Sequence, residues 1–516
     1  MPVIGLTVAR ALGLALARGG ERPAVRCGER LLTYSDLDQA SNRLANALLA
    51  LGLARGDRLA VVLHNCPEYI VVALACAKSG LVMVPHNYRF TADEYAFQLE
   101  DCGAGLLIYS ERFADAVLPA AARIPGLHRV CHGRPAAGDL DTFEGLVQSA
   151  ASKRPDASVG EEDTFYLGYT SGTTGLPKGA LVTQRNRALA YHYWALEFGI
   201  REDDVALHTG PFHHTAPFTF VLTQLYMGGQ IVILDHFDID LVVSTIERER
   251  ATWGFLVPYM LDRLIDRAEV ARRHNLSSFR MIVSGASALP TRTKEQILGV
   301  FPGVDLHEFY GATEAGVIAN LRPIDQMRKT RCVGRPVFDT EIEIRDDSGA
   351  RVAAGETGDI WLRGPTVFSG YYNAPEKTQA VFSGDWCTLG DAGRMDEEGF
   401  VYILDRRKDL IKSGGVNVFP VEIEEVLRAE TSVEDVAVIG VPDSVWGEAV
   451  HAVVVRRAGQ SVDANALAGV CRNKLAGYKV PKSFEFRSAL PRNANGKVLK
   501  RVLREEFVER TCSVPV

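Results

Sequence analysis

Apolar residues in the first third of the chain follow two alternating patterns. Continuous apolar runs, typical of buried strands, occupy residues 59–63 (LAVVL), 81–85 (LVMVP) and 104–110 (AGLLIYS). The segments between them carry apolar residues at helical spacing, and two predicted helices begin with a capping-box pattern, Ser35 with Asp38 and Thr91 with Glu94. Strands that are apolar on both faces and alternate with helices indicate a mostly parallel sheet covered by helices.

Two other apolar stretches could be taken for a targeting or membrane segment. Near the N-terminus no basic residue precedes the apolar residues and Arg10 interrupts them, so we expect a short amphipathic helix closed by Gly19 and Gly20. Residues 205–234 lack Asp, Glu, Lys and Arg but contain three histidines, two glutamines and a Gly-Gly pair. A membrane span of about 20 residues is more uniformly apolar. We therefore expect no membrane anchor, but a buried helix, a glycine turn and a strand over 231–234.

The pattern changes after about residue 340. Apolar and polar residues then alternate with period two in three segments, 341–349, 358–365 and 399–406, which predicts an antiparallel barrel or sandwich subdomain. A charged, glycine-containing stretch follows, and the roughly 100 residues after it are enough for a separate domain. The predicted fold is α/β, with a large N-terminal domain over 1–405 whose sheets are mostly parallel and which includes a β-barrel-like subdomain from about 330. A hinge over 406–412 and a small, mobile α+β lid domain over 413–516 complete it.

Composition excludes some classes of protein. With 47% hydrophobic and 23% charged residues the chain is typical of globular proteins. Its net charge of −7 gives no reason to expect nucleic acid as a partner. Nine cysteines, none of them in a CxxC pair, fit a reducing cytoplasm and argue against a disulfide framework or a structural zinc site.

A loop rich in glycine and hydroxyl residues, YTSGTTGLPKG over 169–179, has the chemistry of a phosphate loop. It fails the Walker spacing, because Pro177 stands where the second glycine should be and Gly179 where Ser or Thr should be. The apolar segments 164–169 and 179–182 flank it, so it is predicted to be a long hairpin loop. Glycine backbone N–H groups, hydroxyls and Lys178 could hold phosphates there. Composition alone leaves a solvated surface loop as an equal alternative.

Six further motifs follow this loop in order. They are GPFHHTAP (210–217), SGASALP (284–290), FYGATEAG (309–316), GYYNAPEKTQAVF with DWCTLGD (370–391), DRRKDLIKSGGVNVFP (405–420) and PRNANGKVLKR (491–501). Together with the loop they resemble the landmarks of the adenylate-forming superfamily, which includes acyl-CoA synthetases, adenylation domains of peptide synthetases and luciferases. The resemblance extends over nearly the whole chain.

The resemblance implies an ATP-dependent acid–CoA ligase, a carbon–sulfur bond-forming enzyme that needs ATP, Mg²⁺ and coenzyme A. A carboxylate attacks the α-phosphate of ATP to give an acyl adenylate and pyrophosphate, and a thiol then displaces AMP. One alternative is a stand-alone adenylation enzyme that loads a carrier protein; a luciferase-like oxidative use of the adenylate is a rarer one. Another, of a different class, is a non-catalytic nucleotide-binding protein, which predicts the loss of Lys497, Glu314 or Asp391, yet all three are present. We expect a cytoplasmic enzyme without integral membrane contact, and a homodimer is an open option.

The resemblance also assigns the ATP site residue by residue. Lys497, Thr170, Glu314 and Lys178 are the implied catalytic residues, with Glu314 as the Mg²⁺ ligand, a residue type suited to a hard cation. The implied phosphate-binding residues are Thr170, Ser171, Gly172, Thr173, Thr174 and Lys178. The implied adenine and α-phosphate residues are Gly285, Ala286, Ser287, Tyr310, Gly311 and Thr313. Asp391 and Arg406 are implied to hold the ribose, although Leu389 stands where the family usually has threonine. Gln184 replaces a frequent histidine.

The remaining implied residues serve the acid, the hinge and coenzyme A. Lys408 is the implied hinge residue. The implied coenzyme A residues are Lys412, Gly414, Gly415, Trp446, Tyr478 and Lys479. The implied acid-pocket residues are His213, His214, Tyr226, Tyr259, Gly311 and Ala312, with one of the two histidines as a gate and a buried structural role as its alternative.

The stretches that line the acid pocket in this family correspond to residues 212–226, 257–260, 284–287 and 310–319. None of them contains Lys or Arg. A second carboxylate on the substrate would be buried without a partner, at a cost of several kcal/mol. The sequence therefore favours an apolar monocarboxylic acid, whether fatty, cyclic or aromatic.

Overall fold

The computed structural model describes residues 5–135, 141–170, 177–406, 409–413, 416–443, 445–492 and 498–512. The chain divides into two compact units. The first comprises residues 1–342, 362–387 and 399–401, and the second comprises 343–361, 388–398 and 402–516. The functional boundaries proposed at residues 405 and 412 stay a prediction.

Helices and strands alternate in the first 150 residues. In chain order they are α1 (Val8–Gly19), β1 (Pro23–Cys27), β2 (Arg30–Thr33), α2 (Tyr34–Ala50), β3 (Arg58–Val62), α3 (Pro67–Ser79), β4 (Val82–Pro85), α4 (Ala92–Asp101), β5 (Ala104–Ser110), α5 (Ala114–Ala121), β6 (His128–His132), β7 (Asp141–Thr142) and α6 (Phe143–Ser149).

The same alternation continues to residue 336. The elements are β8 (Thr164–Thr170), β9 (Lys178–Thr183), α7 (Gln184–Phe198), β10 (Val205–His208), α8 (Thr215–Met227), β11 (Gln230–Ile233), α9 (Ile239–Glu249), β12 (Trp253–Phe255), α10 (Pro258–Asp266), α11 (Ala268–Ala271), β13 (Met281–Ser284), α12 (Thr291–Val300), β14 (Asp305–Ala312), β15 (Gly316–Leu321) and β16 (Arg335–Pro336).

Strands are more frequent in the last third. The elements are β17 (Glu341–Arg345), β18 (Thr357–Arg363), β19 (Gly370–Tyr371), α13 (Pro375–Gln379), β20 (Phe382–Ser383), β21 (Trp386–Met395), β22 (Val401–Arg406), β23 (Ile411–Ser413), β24 (Val416–Val418), α14 (Pro420–Arg428), β25 (Val433–Asp443), β26 (Gly447–Arg456), α15 (Ala464–Lys474), β27 (Ser483–Arg487) and α16 (Lys500–Cys512).

Two large sheets form the first unit. In one the strand order is β19-β9-β8-β4-β3-β5-β6-β7, and in the other it is β16-β15-β14-β13-β12-β10-β11-β1-β2. The strands from β8 through β4, β3, β5 and β6 to β7 run parallel, as do those from β14 through β13, β12, β10 and β11 to β1. Helix α3 is buried along its whole length, which explains why its apolar residues show little amphipathic pattern.

Smaller sheets form the rest of the chain. One has the order β17-β18-β21-β20, with β22 beside β21, and the other has the order β24-β23-β26-β25, with β27 beside β26. Helices α14 and α15 share an apolar core with the last of these sheets, a packing typical of α+β domains. The predicted α/β class, with mostly parallel sheets, a barrel-like β region and a smaller C-terminal α+β fold, is confirmed.

Several local predictions are confirmed. Residues 205–234 form β10, α8, a turn at Gly228 with φ of +94° and β11, as the glycine pair indicated. No helix among the described residues is long and apolar enough to cross a membrane. The capping box of Thr91 and Glu94 is also present.

The capping box predicted at Ser35 and Asp38 is wrong by two residues. Thr33 caps α2, because its hydroxyl accepts from the backbone N–H of Asp36 at 3.1 Å while Asp36 Oδ2 accepts from the N–H of Thr33 at 2.9 Å. Asp38 instead accepts from the buried ammonium group of Lys78 at 2.7 Å.

Candidate active site

The glycine-rich loop connects two antiparallel strands. Strand β8 pairs with β9, and Thr170 lies opposite Lys178 where the two strands meet the loop. The loop is therefore a hairpin connection, as the flanking apolar segments predicted, and not the strand-to-helix turn of a Walker site. Ser171, Gly172, Thr173 and Thr174 lie outside the described residues.

Glu314 is the centre of a polar cluster next to this hairpin. Its side chain is buried, and its Oε1 accepts hydrogen bonds from Thr170 Oγ1 and from the phenol of Tyr371, both at 3.1 Å. No described residue donates to Oε2. Lys178 Nζ lies 4.9 Å from the centre of the Tyr371 ring, a cation–π contact. Two of the implied catalytic residues, Thr170 and Lys178, thus lie close to the carboxylate of a third, Glu314.

A second polar chain leads inward from Thr313. Its hydroxyl lies 3.0 Å from that of Thr215, which is 3.3 Å from the phenol of Tyr166. The guanidinium group of Arg187 lies 4.9 Å from the centre of the Tyr166 ring and donates to Thr219, one turn along α8 from Thr215.

Arg187 is only 4% exposed, and among the described residues no carboxylate lies within ion-pair distance of it. Burial lowers the pKa of Arg187, but an arginine stays charged in proteins. A buried cation without a carboxylate therefore lies behind the implied α-phosphate contact.

The residues implied to bind adenine follow the carboxyl ends of two neighbouring parallel strands. Strands β13 and β14 pair with Ser284 opposite Glu308, so the segment after Ser284 and residues from Tyr310 meet at the same edge. Ligands of open α/β sheets bind at such edges. Ala286 has φ of +72°, a rare conformation for a residue with a side chain, and strain of this kind is concentrated at functional sites.

Two glycines in this region are required by close packing. A methyl group added at Gly285 would lie 2.6 Å from the ring of Phe309, and one at Gly311 would lie 2.4 Å from the backbone oxygen of Gly316. Ser287 is exposed and Tyr310 is half-buried. The segment therefore presents backbone and small side chains, which leaves room for a flat base beside Tyr310.

The two histidines lie in the turn that leads into α8. The His213 ring packs edge-on against Tyr88 at 4.9 Å and lies 4.2 Å from the ring of His214. Burial, together with the nearby Arg89 cation, lowers the pKa of His214 to about 4, and burial lowers the pKa of His213 well below its usual value. Both rings are neutral at neutral pH, so neither can act as a protonated acid there.

Two other implied acid-pocket residues do not lie beside the two histidines. Tyr226 is eleven residues after Thr215 on α8, about 16 Å along the helix axis, and its ring lies 4.6 Å from that of His192 on α7. Tyr259, at the start of α10, is 67% exposed. The structure thus separates Tyr226 from the histidines and directs Tyr259 into solvent, whereas Ala312 and Gly311 adjoin Thr313 at the end of β14.

Several implied residues belong to the second unit. Asp391, on β21, is 5% exposed. Arg406 ends β22, and its side chain is outside the description. Lys408, Gly414, Gly415 and Lys497 lie outside the described residues. Arg492 and Val498, which precede and follow Lys497 in the sequence, form a β-bridge.

The remaining implied coenzyme A residues also belong to the second unit. Trp446 is 46% exposed and Tyr478 is 44% exposed. Ser413 of β23 pairs with Gly447, which places the exposed Lys412 near Trp446. Lys479 is ion-paired with Glu422. The Nζ atom of the exposed Lys482 lies 5.3 Å from the centre of the Trp446 ring. Lys482 was not among the residues predicted from the sequence.

Sequence reasoning also missed Tyr371, Thr215, Tyr166 and Arg187. Tyr371 and Thr215 stand inside motifs that carried the resemblance, so their position was a usable signal. Tyr166 and Arg187 carry no such signal, since an aromatic residue in an apolar strand and an arginine on a helix have many ordinary explanations.

Comparisons with known proteins identify the family of the chain. The profile of the AMP-binding enzyme family matches residues 14–372, and that of the AMP-binding enzyme C-terminal domain matches residues 422–497. The chain belongs to the AMP-binding enzyme family. It is 38% identical to a feruloyl-CoA synthase of Amycolatopsis sp over 94% of this chain and 96% of that one. It is 35% identical to a long-chain-fatty-acid–CoA ligase of Mycobacterium tuberculosis over 92% and 93% of the two chains.

A solved structure extends the comparison to a reaction intermediate. The o-succinylbenzoate-CoA synthetase of Bacillus subtilis, in complex with its acyl-adenylate intermediate, superposes with a TM-score of 0.85. The two are 31% identical over 96% of this chain and 97% of that one. The chain is an AMP-forming acid–CoA ligase that uses ATP, Mg²⁺ and coenzyme A.

Proposed function

We propose that the enzyme activates an apolar monocarboxylic acid, with aromatic acids favoured, as an acyl adenylate and transfers the acyl group to coenzyme A. The observation that carries the substrate class is the absence of Lys and Arg from the four stretches implied to line the pocket. Phe220, in one of these stretches, stacks on Phe255 at 5.6 Å and packs against Phe309 at 5.8 Å. Two of the three proteins named above are a feruloyl and a fatty-acyl enzyme, which supports the same class, whereas o-succinylbenzoate, after which the third is named, carries two carboxylates.

Arg187, on α7, lies close to this region, but it contacts a different side of α8 from the side that carries Phe220. It contacts Thr219, and the next residue, Phe220, projects about 100° away around the helix. Phe220 packs in the aromatic cluster, while Thr219, like Thr215, faces the polar chain that leads to Thr313. Arg187 is therefore assigned to the phosphate side of the site and not to the substrate tail.

The first half-reaction needs positioning and charge stabilisation more than covalent chemistry. The proposed roles are phosphate binding by Thr170 and Lys178 at the mouth of the hairpin, and contact with the α-phosphate by Thr313. Asp391 is proposed to bind the ribose hydroxyls. Lys497 is proposed to bridge the acid carboxylate and the α-phosphate.

Glu314 fits the role of the Mg²⁺ ligand. Both hydrogen bonds from described residues go to Oε1, which fixes the carboxylate while Oε2 receives no donor from them. Oxygen ligands suit Mg²⁺. When bound, Mg²⁺ would neutralise charge on the phosphates as pyrophosphate leaves.

In the second half-reaction the thiol attacks the carbonyl carbon of the adenylate, the carbon–sulfur bond forms and AMP leaves. The neutral, packed rings of His213 and His214 support a gate that excludes water from the site. Water that reached the adenylate would hydrolyse it. We assign Trp446, Lys412 and Lys482 to coenzyme A, because they offer an exposed aromatic face and cations for its phosphates.

Two further inferences concern the location and the oligomeric state of the enzyme. We infer a cytoplasmic location, supported by nine cysteines without a CxxC pair. The homodimer stays a prediction, and light scattering from the pure protein would test it.

An acid panel tests the substrate class. Ferulic acid, benzoate and octanoate should each give more AMP and thioester than succinate or malonate, because a second carboxylate would be buried without a cationic partner. The measurement is kcat/KM for each acid with ATP and coenzyme A, with the thioester identified by mass. The highest kcat/KM for a dicarboxylate would contradict the proposal.

Replacing Arg187 with methionine should slow adenylate formation without loss of stability. A charge acting over about 8 Å at an effective dielectric constant of about 20 contributes about 2 kcal/mol, or about 30-fold in rate. Burial of an unpaired cation is costly, so the free energy of unfolding should be unchanged or higher. ATP–pyrophosphate exchange and denaturant unfolding measure the two effects.

The matched control is Arg185→Met, on the exposed face of the same helix, where the arginine pairs with Glu161. It should change neither quantity much. A less stable Arg187→Met protein with normal exchange would show that Arg187 has only a structural role.

Replacing Lys482 with alanine should weaken the use of coenzyme A alone. The ammonium group over Trp446 is positioned to meet a phosphate of the ligand, and a partly exposed charge–charge contact of this kind contributes about 1 kcal/mol, or about fivefold. The KM for coenzyme A should rise while ATP–pyrophosphate exchange is unchanged. Lys474→Ala, an exposed lysine on α15, is the control. An equal effect of both substitutions would refute a specific contact.

A further inference from the structure

Three potential metal ligands converge outside the candidate active site. One ligand atom each of Cys66, Glu68 and His132 lie within 4.8 Å of one another. Cys66 is the N-cap residue of α3, Glu68 lies in the first turn of that helix and His132 ends β6. Cys66 and Glu68 are buried, while the His132 side chain is 17% exposed and gives the cluster access to solvent.

A carboxylate fixes the orientation of the histidine ring. Glu144 Oε1 lies 2.6 Å from His132 Nδ1. In the neutral ring this contact places the proton on Nδ1 and leaves a lone pair on Nε2. Nε2 lies 3.9 Å from Glu68 Oε2, so this tautomer directs a lone pair at a carboxylate oxygen. A carboxylate that orients a metal-binding histidine in this way is common in metalloproteins.

The facing oxygen of Glu68 receives no N–H or O–H donor, and the Cys66 thiol, a weak donor, is the group that shares a hydrogen bond with this carboxylate beside it. Arg30 Nη2 donates to the other oxygen, Oε1, at 2.6 Å. Oε2 is fully buried, and no N–H or O–H group of the described residues donates to it. Buried carboxylate oxygens are nearly always paired, and an unpaired one is costly. A cation between Oε2 and Nε2 would satisfy both atoms.

We propose that Cys66, Glu68 and His132 bind a zinc ion, with water as the fourth ligand. Thiolate, imidazole and carboxylate together select a borderline-soft, tetrahedral cation. Zinc bonds of about 2.0–2.3 Å place ligand atoms roughly 3.3–3.7 Å apart, so the cluster contracts slightly on binding. Cys66 releases its proton to solvent when it binds. The charges then balance, because Zn²⁺ and Arg30 offset the Cys66 thiolate, Glu68 and Glu144.

The zinc ion would clamp a loop that supports the gate residues. Asn65, next to Cys66, donates to the backbone oxygens of Gly210 and Leu234 and accepts from the N–H of Phe212 at 2.9 Å. Phe212 directly precedes the two histidines before α8. The clamp therefore stabilises the turn that carries His213 and His214 without touching the reacting groups. CxxC spacing could not reveal this site, because its ligands come from segments that are far apart in sequence.

Cobalt substitution is the direct test. The full-length protein is stripped with a chelator, reconstituted with Co²⁺ or Zn²⁺, and bound metal is counted by plasma mass spectrometry. We expect one ion per chain and a thiolate-to-cobalt charge-transfer band. Cys66→Ser should abolish that band, His132→Gln should weaken zinc binding strongly, and Glu144→Gln should weaken it about 10–100-fold. Cys76→Ser, another buried cysteine of α3, should retain band and stoichiometry.

A second measurement uses only the wild-type protein, so its result does not depend on whether the variants fold. Zinc should shield Cys66, and none of the other eight cysteines, from alkylation during partial thermal opening, as read by peptide mass spectrometry. Circular dichroism checks the fold of each variant. Two results would overturn the proposal. One is a reconstituted wild type without stoichiometric metal, and the other is metal binding that survives in both folded Cys66→Ser and His132→Gln.

Discussion

Lys497→Ala should lose adenylate formation by about 100- to 1,000-fold while it still converts a supplied acyl adenylate to the thioester. Removing one positioned charge at a transition state costs about 2.7–4 kcal/mol. Arg492 and Val498, on either side of Lys497 in the sequence, form a β-bridge, and the substitution leaves both of these residues unchanged. The two rates are measured separately, as ATP–pyrophosphate exchange and as thioester formation from synthetic acyl-AMP.

The control for this result is Arg501→Ala. Arg501 is exposed, lies close to Lys497 in the sequence and forms an ion pair with Glu505. It should retain both half-reactions. If Lys497→Ala loses both half-reactions equally and remains folded, the lysine does not serve adenylation alone, and the proposed division of labour is refuted.

What could be predicted from the sequence depended on how local the signal was. The hairpin between β8 and β9 was predictable because two apolar segments bracket one glycine-rich loop. The turn at Gly228 was predictable for the same reason. The helix start at Thr33 was missed because two overlapping patterns, Thr33 with Asp36 and Ser35 with Asp38, differ only in where β2 ends. Strand pairing decides that end, and strand pairing is a long-range property.

The site shows the same limit. Residues within a motif, such as Glu314 and Thr170, could be assigned, but the hydrogen bonds that Glu314 accepts from Thr170 and Tyr371 join segments far apart in sequence. Tyr226 stays a prediction for the acid pocket, because membership of a pocket-lining stretch does not tell which turn of α8 faces the pocket. Arg187 could not be identified at all, since the lack of a carboxylate partner is visible only in three dimensions.

Glu314→Gln should reduce ATP–pyrophosphate exchange by at least about 100-fold, or about 2.7 kcal/mol, and raise the Mg²⁺ concentration needed for half-maximal rate. The amide retains the shape of the side chain and can still accept from Thr170 and Tyr371, so the fold should persist. It lacks the negative charge that a hard cation requires. Glu376→Gln, on the exposed face of α13, is the matched control and should have the wild-type Mg²⁺ dependence.

A double-mutant cycle with Tyr371→Phe tests whether these residues act as a unit. Tyr371→Phe alone removes one hydrogen bond to a charged group, worth about 1.5–3 kcal/mol, so exchange should fall by roughly 10- to 100-fold. If the phenol acts by fixing Glu314 Oε1 while Oε2 faces the metal, Tyr371→Phe should cost much less in the Glu314→Gln background. Additive losses would show that Tyr371 acts independently, through its contact with Lys178. A Glu314→Gln enzyme with normal Mg²⁺ dependence would exclude this carboxylate as the metal ligand.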